Sequence, residues 1–213
     1  MRKFYKILNK QNTHYGMTYV PNSWNTDILP YDPKGTCRAG GLYFADLKHI
    51  FEFIIIDDFM GGGICEVINY MDDKGNNVYH DEGHKQKAYQ LLLGERRLIT
   101  KELIIELIKA GADIHAGDEA VLRIANELND LDFIKELINL GADHHAFDDN
   151  PFRMACDYGR LELVKFYLEL GGVDVFSRSR YAFRSAMDKR NNELLELLNE
   201  YVRKQNSIKN LDK

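Results

Sequence analysis

Proline is scarce in this chain and unevenly placed. Four occur in 213 residues, and Pro21, Pro30 and Pro33 all precede residue 84. Only Pro151 remains downstream, which leaves residues 85–213 free to form helices with few breaks. Cysteine is also sparse. Cys37, Cys65 and Cys156 are an odd number at unrelated spacings, which fits a reducing compartment and not a disulfide framework. There is no basic excess: 29% of residues are charged and the net charge is −5, which disfavours a nucleic-acid partner. No apolar run reaches the length of a membrane span. The longest, Phe51 to Ile56, is interrupted by Glu52 and ended by Asp57-Asp58. Arg2 and Lys3 are followed by neither an apolar core nor a small-residue cleavage site, so no signal peptide is expected.

What the chain does contain is a repeat. Gly111-Ala112-Asp113 and Gly141-Ala142-Asp143 lie 30 residues apart. Leu103, Phe133, Leu163 and Leu194 step by 30, 30 and 31. A fixed period of this size marks a stacked array. Ile134, Leu137, Ile138 and Val164, Tyr167, Leu168 follow i, i+3, i+4 spacing, one helix face each. Shorter helices are expected over 120–127, 151–157 and 182–188, where Ala125, Ala155 and Ala186 allow close approach. Gly111, Gly141 and Gly171 are placed as helix C-caps, where a left-handed residue is needed. Pro151 suits a first helical turn. Asp118, Asp148 and Ser179 are candidate N-caps.

These units resemble ankyrin repeats, most closely the shortened kind found in ankyrin-repeat proteins of giant amoeba-infecting viruses. The Thr-Pro-Leu-His position of that family reads Asn150-Pro151-Phe152-Arg153, Ala120-Val121-Leu122-Arg123 and Tyr181-Ala182-Phe183-Arg184. The unit is about three residues shorter than the usual ~33, so the hairpin near Ala146–Pro151 should be stubby. The resemblance implies a mainly α fold: an ankyrin-type helical solenoid with a small N-terminal α+β domain. It also implies an intracellular protein, in the cytoplasm of a host cell, that binds another protein without catalysis.

Residues 1–84 differ in texture, with dense aromatics and frequent turn signals. Strands are expected near Phe4–Leu8, Met17–Val20 and Ile64–Tyr70, and a helix over Asp46–Ile54 capped by Asp46. Residues 85–98 are expected to be helical, a degenerate first half-repeat. The division is therefore 1–84, an N-terminal domain; 85–203, repeats; and 204–213, a frayed polar tail. Asp27-Ile28-Leu29-Pro30 and Cys37-Arg38-Ala39-Gly40-Gly41-Leu42-Tyr43-Phe44 resemble the N-terminal signature of the same viral proteins. Gly40 to Asp46 also resembles a segment of ADP-ribosyltransferases, which implies an NAD-stacking role for Tyr43. That family's early His-Gly pair is missing from Phe4–Leu8. An enzyme domain of this kind, decayed or active, is the alternative function.

Partner contacts are expected at Arg123, Asn126, Glu127, Asp157 and Tyr158 near the inner helices and at His115, His145 and Phe147 on the turns. Arg123, Arg153 and Arg184 form a column. They serve either an acidic partner or, the favoured reading because the column falls at a packing position of the motif, the carbonyls and Asp side chains of the turns. His80 and His84 lie four apart, but no third ligand is evident and no metal is expected. His144 and His145, read as a strand, should face opposite ways. Gly61-Gly62-Gly63 lacks the Lys and helix start of a phosphate cradle. Asp72 to Gly75 lacks the ligands of a calcium loop. No catalytic residue and no cofactor is expected.

Overall fold

The computed structural model describes residues 2–14, 16–32, 40–81 and 83–211. Tyr15, Glu82, and the 33–39 part of the N-terminal signature with Cys37 lie outside the described residues. The chain forms two compact units, Met1–Val121 and Leu122–Lys213.

The first unit is built on a sheet of β1 (Phe4–Leu8), β4 (Trp24–Thr26), β5 (Leu42–Asp46), β6 (Gly63–Met71), β7 (His80–Asp81), β8 (Gln86–Ala88) and β9 (Gln90–Leu98). Its order is β4-β9-β6-β1-β5-β8-β7, and every pairing is antiparallel. A separate pair joins β2 (Thr13–His14) to β3 (Met17–Thr18). The expected mainly α class is thereby overturned: with 45% helix and 20% strand, the seven-stranded sheet is a principal element. The strands foreseen at Phe4 and Ile64 form, and the one at Met17 forms in part. The helix foreseen over 85–98 does not. Leu91 and Leu93 are buried while Leu92 is half-buried, a period of two that fits pairing with β6.

The sheet's core comprises Leu8, Met17, Tyr19, Leu42, Cys65, Val67, Ala88, Leu91 and Leu93 around an aromatic cluster. Phe4 and Phe44 meet edge-to-face at 5.2 Å, and Tyr70 and Tyr79 pack on both. Such geometry matches the positive edge of one ring to the negative face of another. After β5 the chain makes one 3-10 turn, Ile50–Phe53, and a second, Ile56–Met60, in place of the expected α-helix. Asp46 does accept the His49 N–H at 3.0 Å. The Ile54-Ile55-Ile56 run that follows is β-branched and poorly suited to continuing a helix.

From residue 101 the 30-residue period governs the helices. One series is α1 (Lys101–Lys109), α3 (Leu131–Asn139), α5 (Leu161–Leu170) and α7 (Asn192–Leu211). The other is α2 (Ala116–Glu127), α4 (Ala146–Asp157) and α6 (Ser177–Asp188). Helix α7 continues through Leu211, so the polar end is helical beyond the point where fraying was expected. Gly111 and Gly141 cap as anticipated, at φ +109° and +108°. Ala112 N–H reaches Leu107 O at 2.9 Å and Ala142 N–H reaches Leu137 O at 3.0 Å, the long bond of a Schellman motif.

The second helix series ends in the same way at Asn129, Gly159 and Arg190, with φ of +56°, +66° and +54°. Arginine gains nothing from that backbone and is exposed there. Arg190→Gly is expected to stabilise the protein by about 0.5–1 kcal/mol, read as a higher urea midpoint at unchanged m-value.

Candidate functional site

Each helix pair is joined by the same local device. The Asp of the Gly-Ala-Asp turn accepts the N–H two residues on: Asp113 from His115 at 3.0 Å and Asp143 from His145 at 2.8 Å. Asp174 does the same for Phe176 at 2.9 Å. This Asx-turn mimics a backbone turn with a side chain. Three consecutive left-handed residues follow: Gly117-Asp118-Glu119, Phe147-Asp148-Asp149 and Arg178-Ser179-Arg180. No strand forms here, so the expected hairpin finger is replaced by a turn. Asp118, Asp148 and Ser179 lie inside that turn and are not conventional N-caps. Left-handed backbone costs a side-chain-bearing residue about 1–2 kcal/mol, so something must hold it.

The arginine column contributes. Arg153 donates to Asp148 O at 2.9 Å and Phe147 O at 2.8 Å. Arg184 donates to Arg178 O at 3.2 Å. The carbonyl-bonding reading of these two arginines therefore holds, and each fork closes its own turn. Asp149 is buried; its Oδ1 meets His145 Nδ1 at 2.6 Å and its Oδ2 accepts Asp174 N–H at 2.8 Å. One carboxylate thus ties a turn to the start of the next.

The expected partner residues separate on inspection. Asn126 is fully buried, contrary to the exposed role expected of it. Its amide donates to Leu122 O at 3.0 Å and to the Tyr167 hydroxyl at 2.9 Å, a polar tie between α2 and α5. Burial pushes the Tyr167 phenol well above its ordinary pKa. Arg123 and Glu127 are half-buried. The Asn126 and Glu127 carbonyls accept from Arg160, the latter at 2.8 Å, so α2's C-terminal end is capped from the next repeat. Asp157 bonds Lys189 at 2.7 Å and Ser185 at 2.9 Å. The Lys189 ammonium, opposed by burial and aided by Ser185, holds its carboxyl below the usual range. Tyr158 is exposed beneath Arg160, 4.5 Å from ring centroid to guanidinium. Phe147 is 52% exposed. In the first unit, His115 is exposed and its Nδ1 contacts Glu119. The rings of His144 and His145 lie 4.1 Å apart and not on opposite sides, because the segment is a turn.

The first unit holds two further clusters. A cavity of about 320 Å³ is lined by Tyr5, Lys6, His14, Tyr43, Phe53 and Lys85, among others. Tyr43 carries the Lys85 ammonium 4.8 Å and the Lys87 ammonium 5.6 Å from its ring centroid. A cationic nicotinamide stacked on that ring would be repelled by both, which counts against the NAD alternative. Lys6 is buried, with Nζ 3.3 Å from His14 Nδ1 and 4.7 Å from the Tyr19 ring centroid. Burial lowers its pKa to about 7.

Sequence reasoning missed the second cluster. His84 does not pair with His80, which lies in β7 opposite Lys87. Its ring stacks on His49 at 4.6 Å and 11°, and its Nδ1 is 2.9 Å from Glu52 Oε2. His49 Nδ1 is 2.7 Å from Asp46 Oδ1. His49 and Glu52 have helical i, i+3 spacing, which is the signal the sequence offered; the partner 32 residues beyond Glu52 arrives only through sheet pairing.

No family model matches the chain. It is similar to three proteins of Acanthamoeba polyphaga mimivirus that carry ankyrin-repeat names. R229 is 30% identical over 55% of this chain and 38% of its own length. R896 is 28% identical over 62% and 39%, and R868 is 25% identical over 62% and 64%. The chain spans less than two thirds of each of these relatives. Among the described residues no helix is long and apolar enough to cross a membrane. What this chain shares with them is distant similarity to viral proteins with ankyrin-repeat names, a class that points to protein interaction at most.

Proposed function

We propose that the chain is a non-catalytic protein-interaction module whose partner is a protein of the host cell cytoplasm. Within Leu122–Lys213 the partner meets Phe147 and Tyr158, flanked by His145, Arg123, Glu127 and Asp157. The observation that supports this is Phe147, an aromatic side chain half in solvent on a left-handed backbone at φ +55°. Strain at a position that packs little of its own side chain is the pattern of a residue kept for an external contact, and aromatic anchors dominate binding energy at interfaces. Asn126 is omitted because it is buried, and His115 is proposed separately, as a contact of the first unit alone.

Phe147→Ser combined with Tyr158→Ser is expected to cut recovery of the partner from host-cell lysate at least tenfold, with the circular dichroism spectrum and melting temperature retained. An unchanged set of recovered proteins at unchanged amounts rejects the proposed surface.

A further inference from the structure

We propose that His49, Glu52 and His84 form a zinc site that fastens the β7–β8 turn to the 3-10 turn after β5. One ligand atom from each residue lies within 4.8 Å of the others. Two imidazole nitrogens and a carboxylate oxygen are a ligand set that zinc favours, at about 2.0–2.2 Å per bond, with a fourth position left for water.

The local structure explains why these groups converge. In a 3-10 helix side chains at i and i+3 eclipse one another. His49 is the residue that precedes the Ile50–Phe53 turn and Glu52 lies within it, so the two project on the same side. Antiparallel pairing of β5 with β8, Tyr43 opposite Lys87 and Phe44 opposite Gln86, then brings the turn before β8 across to them. His84 sits in that turn, its side chain 67% exposed, and can close the remaining distance by rotating.

Asp46 provides the outer support such a site needs. It is buried, receives Arg2 and the His49 N–H, and holds His49 Nδ1 at 2.7 Å. A carboxylate on one imidazole nitrogen fixes the tautomer and leaves Nε2 to the metal.

The test uses the untagged full chain, first freed of metal with EDTA. Zinc at one hundred times its Kd is expected to raise the melting temperature by roughly 5–10 °C, reversibly on adding EDTA. Cobalt(II) in its place should give visible d–d absorption at one equivalent. His84→Ala alters an exposed side chain and should leave the metal-free melting temperature unchanged while weakening zinc at least tenfold. Glu52→Gln should weaken it similarly. A zinc response that is absent, or one undiminished in His84→Ala, overturns the assignment; in the second case the metal is held by other histidines.

Discussion

Lys6→Met is expected to make the protein more stable at pH 6 than the natural sequence and to lose that advantage by pH 10. Lysine at this position lies on the inward face of β1 with Phe4 and Leu8, where an ammonium cannot be hydrated. Its pKa falls from the ordinary 10.5 to about 7. Between those values the unfolded chain binds more protons than the folded one, so stability rises with pH across the window from about 7 to 10.5. Below pH 7 the whole penalty is present, roughly 5 kcal/mol at about 1.36 kcal/mol per pH unit. Methionine removes it, and forfeits the His14 contact and the Tyr19 ring face, together worth roughly 1–2 kcal/mol. The expected net gain at pH 6 is therefore roughly 3 kcal/mol, measured by urea unfolding at both pH values. His14 adds a second, acid limb. Desolvation, with Lys6 beside it, lowers its pKa from 6.5 to about 4, but the side chain is exposed, so solvent screening keeps the loss of stability between pH 6.5 and 4 small. A variant less stable than the parent at pH 6 would show that the Lys6 ammonium is hydrated in the folded protein.

The second large effect concerns Gly117, the glycine among the three equivalent turn positions. Phe147 and Arg178 carry side chains at the same backbone conformation, so left-handedness alone does not demand glycine. Gly117 is different because a Cβ there would stand 3.0 Å from Glu52 Cα and 3.1 Å from Phe51 O. Both are backbone atoms of the 3-10 turn and cannot rotate away. Gly117→Val is expected to lower stability by roughly 3–4 kcal/mol, from overpacking and from a β-branched residue at φ +63°. Phe147→Gly removes comparable strain at an open site and should be neutral or mildly stabilising. Chemical denaturation of the two variants side by side separates space from conformation: a gain in Phe147→Gly as large as the loss in Gly117→Val would mean that backbone strain, not contact with Phe51 and Glu52, sets the preference.

The helical part was readable because its signals are local and repeated. Leu103, Phe133, Leu163 and Leu194 keep step because each helix must present an apolar face at the same phase, and Gly111 and Gly141 mark the only backbone that ends those helices cheaply. Leu91-Leu92-Leu93 was misread because three adjacent leucines carry no period; pairing with β6 chose the strand. Asn126 was misplaced because an amide looks like surface until a partner such as Tyr167 is supplied from 41 residues away. The left-handed triplets were invisible since Phe-Asp-Asp and Arg-Ser-Arg contain no glycine, and what steadies them, Asp149 and the arginine forks, is contact and not propensity. The histidine cluster joins residues on separate elements, a relation that only the register of β5 and β8 creates.

The left-handed triplets also bear on how such a protein can change. Where a turn is held by main-chain bonds from Arg153 or Arg184, the identity of the side chain at its first position is released from the demands of folding. Phe147 and Arg178, one apolar and one cationic, occupy the same kind of perch. A lineage can therefore exchange residues there and acquire a new binding preference while the frame beneath stays as it was.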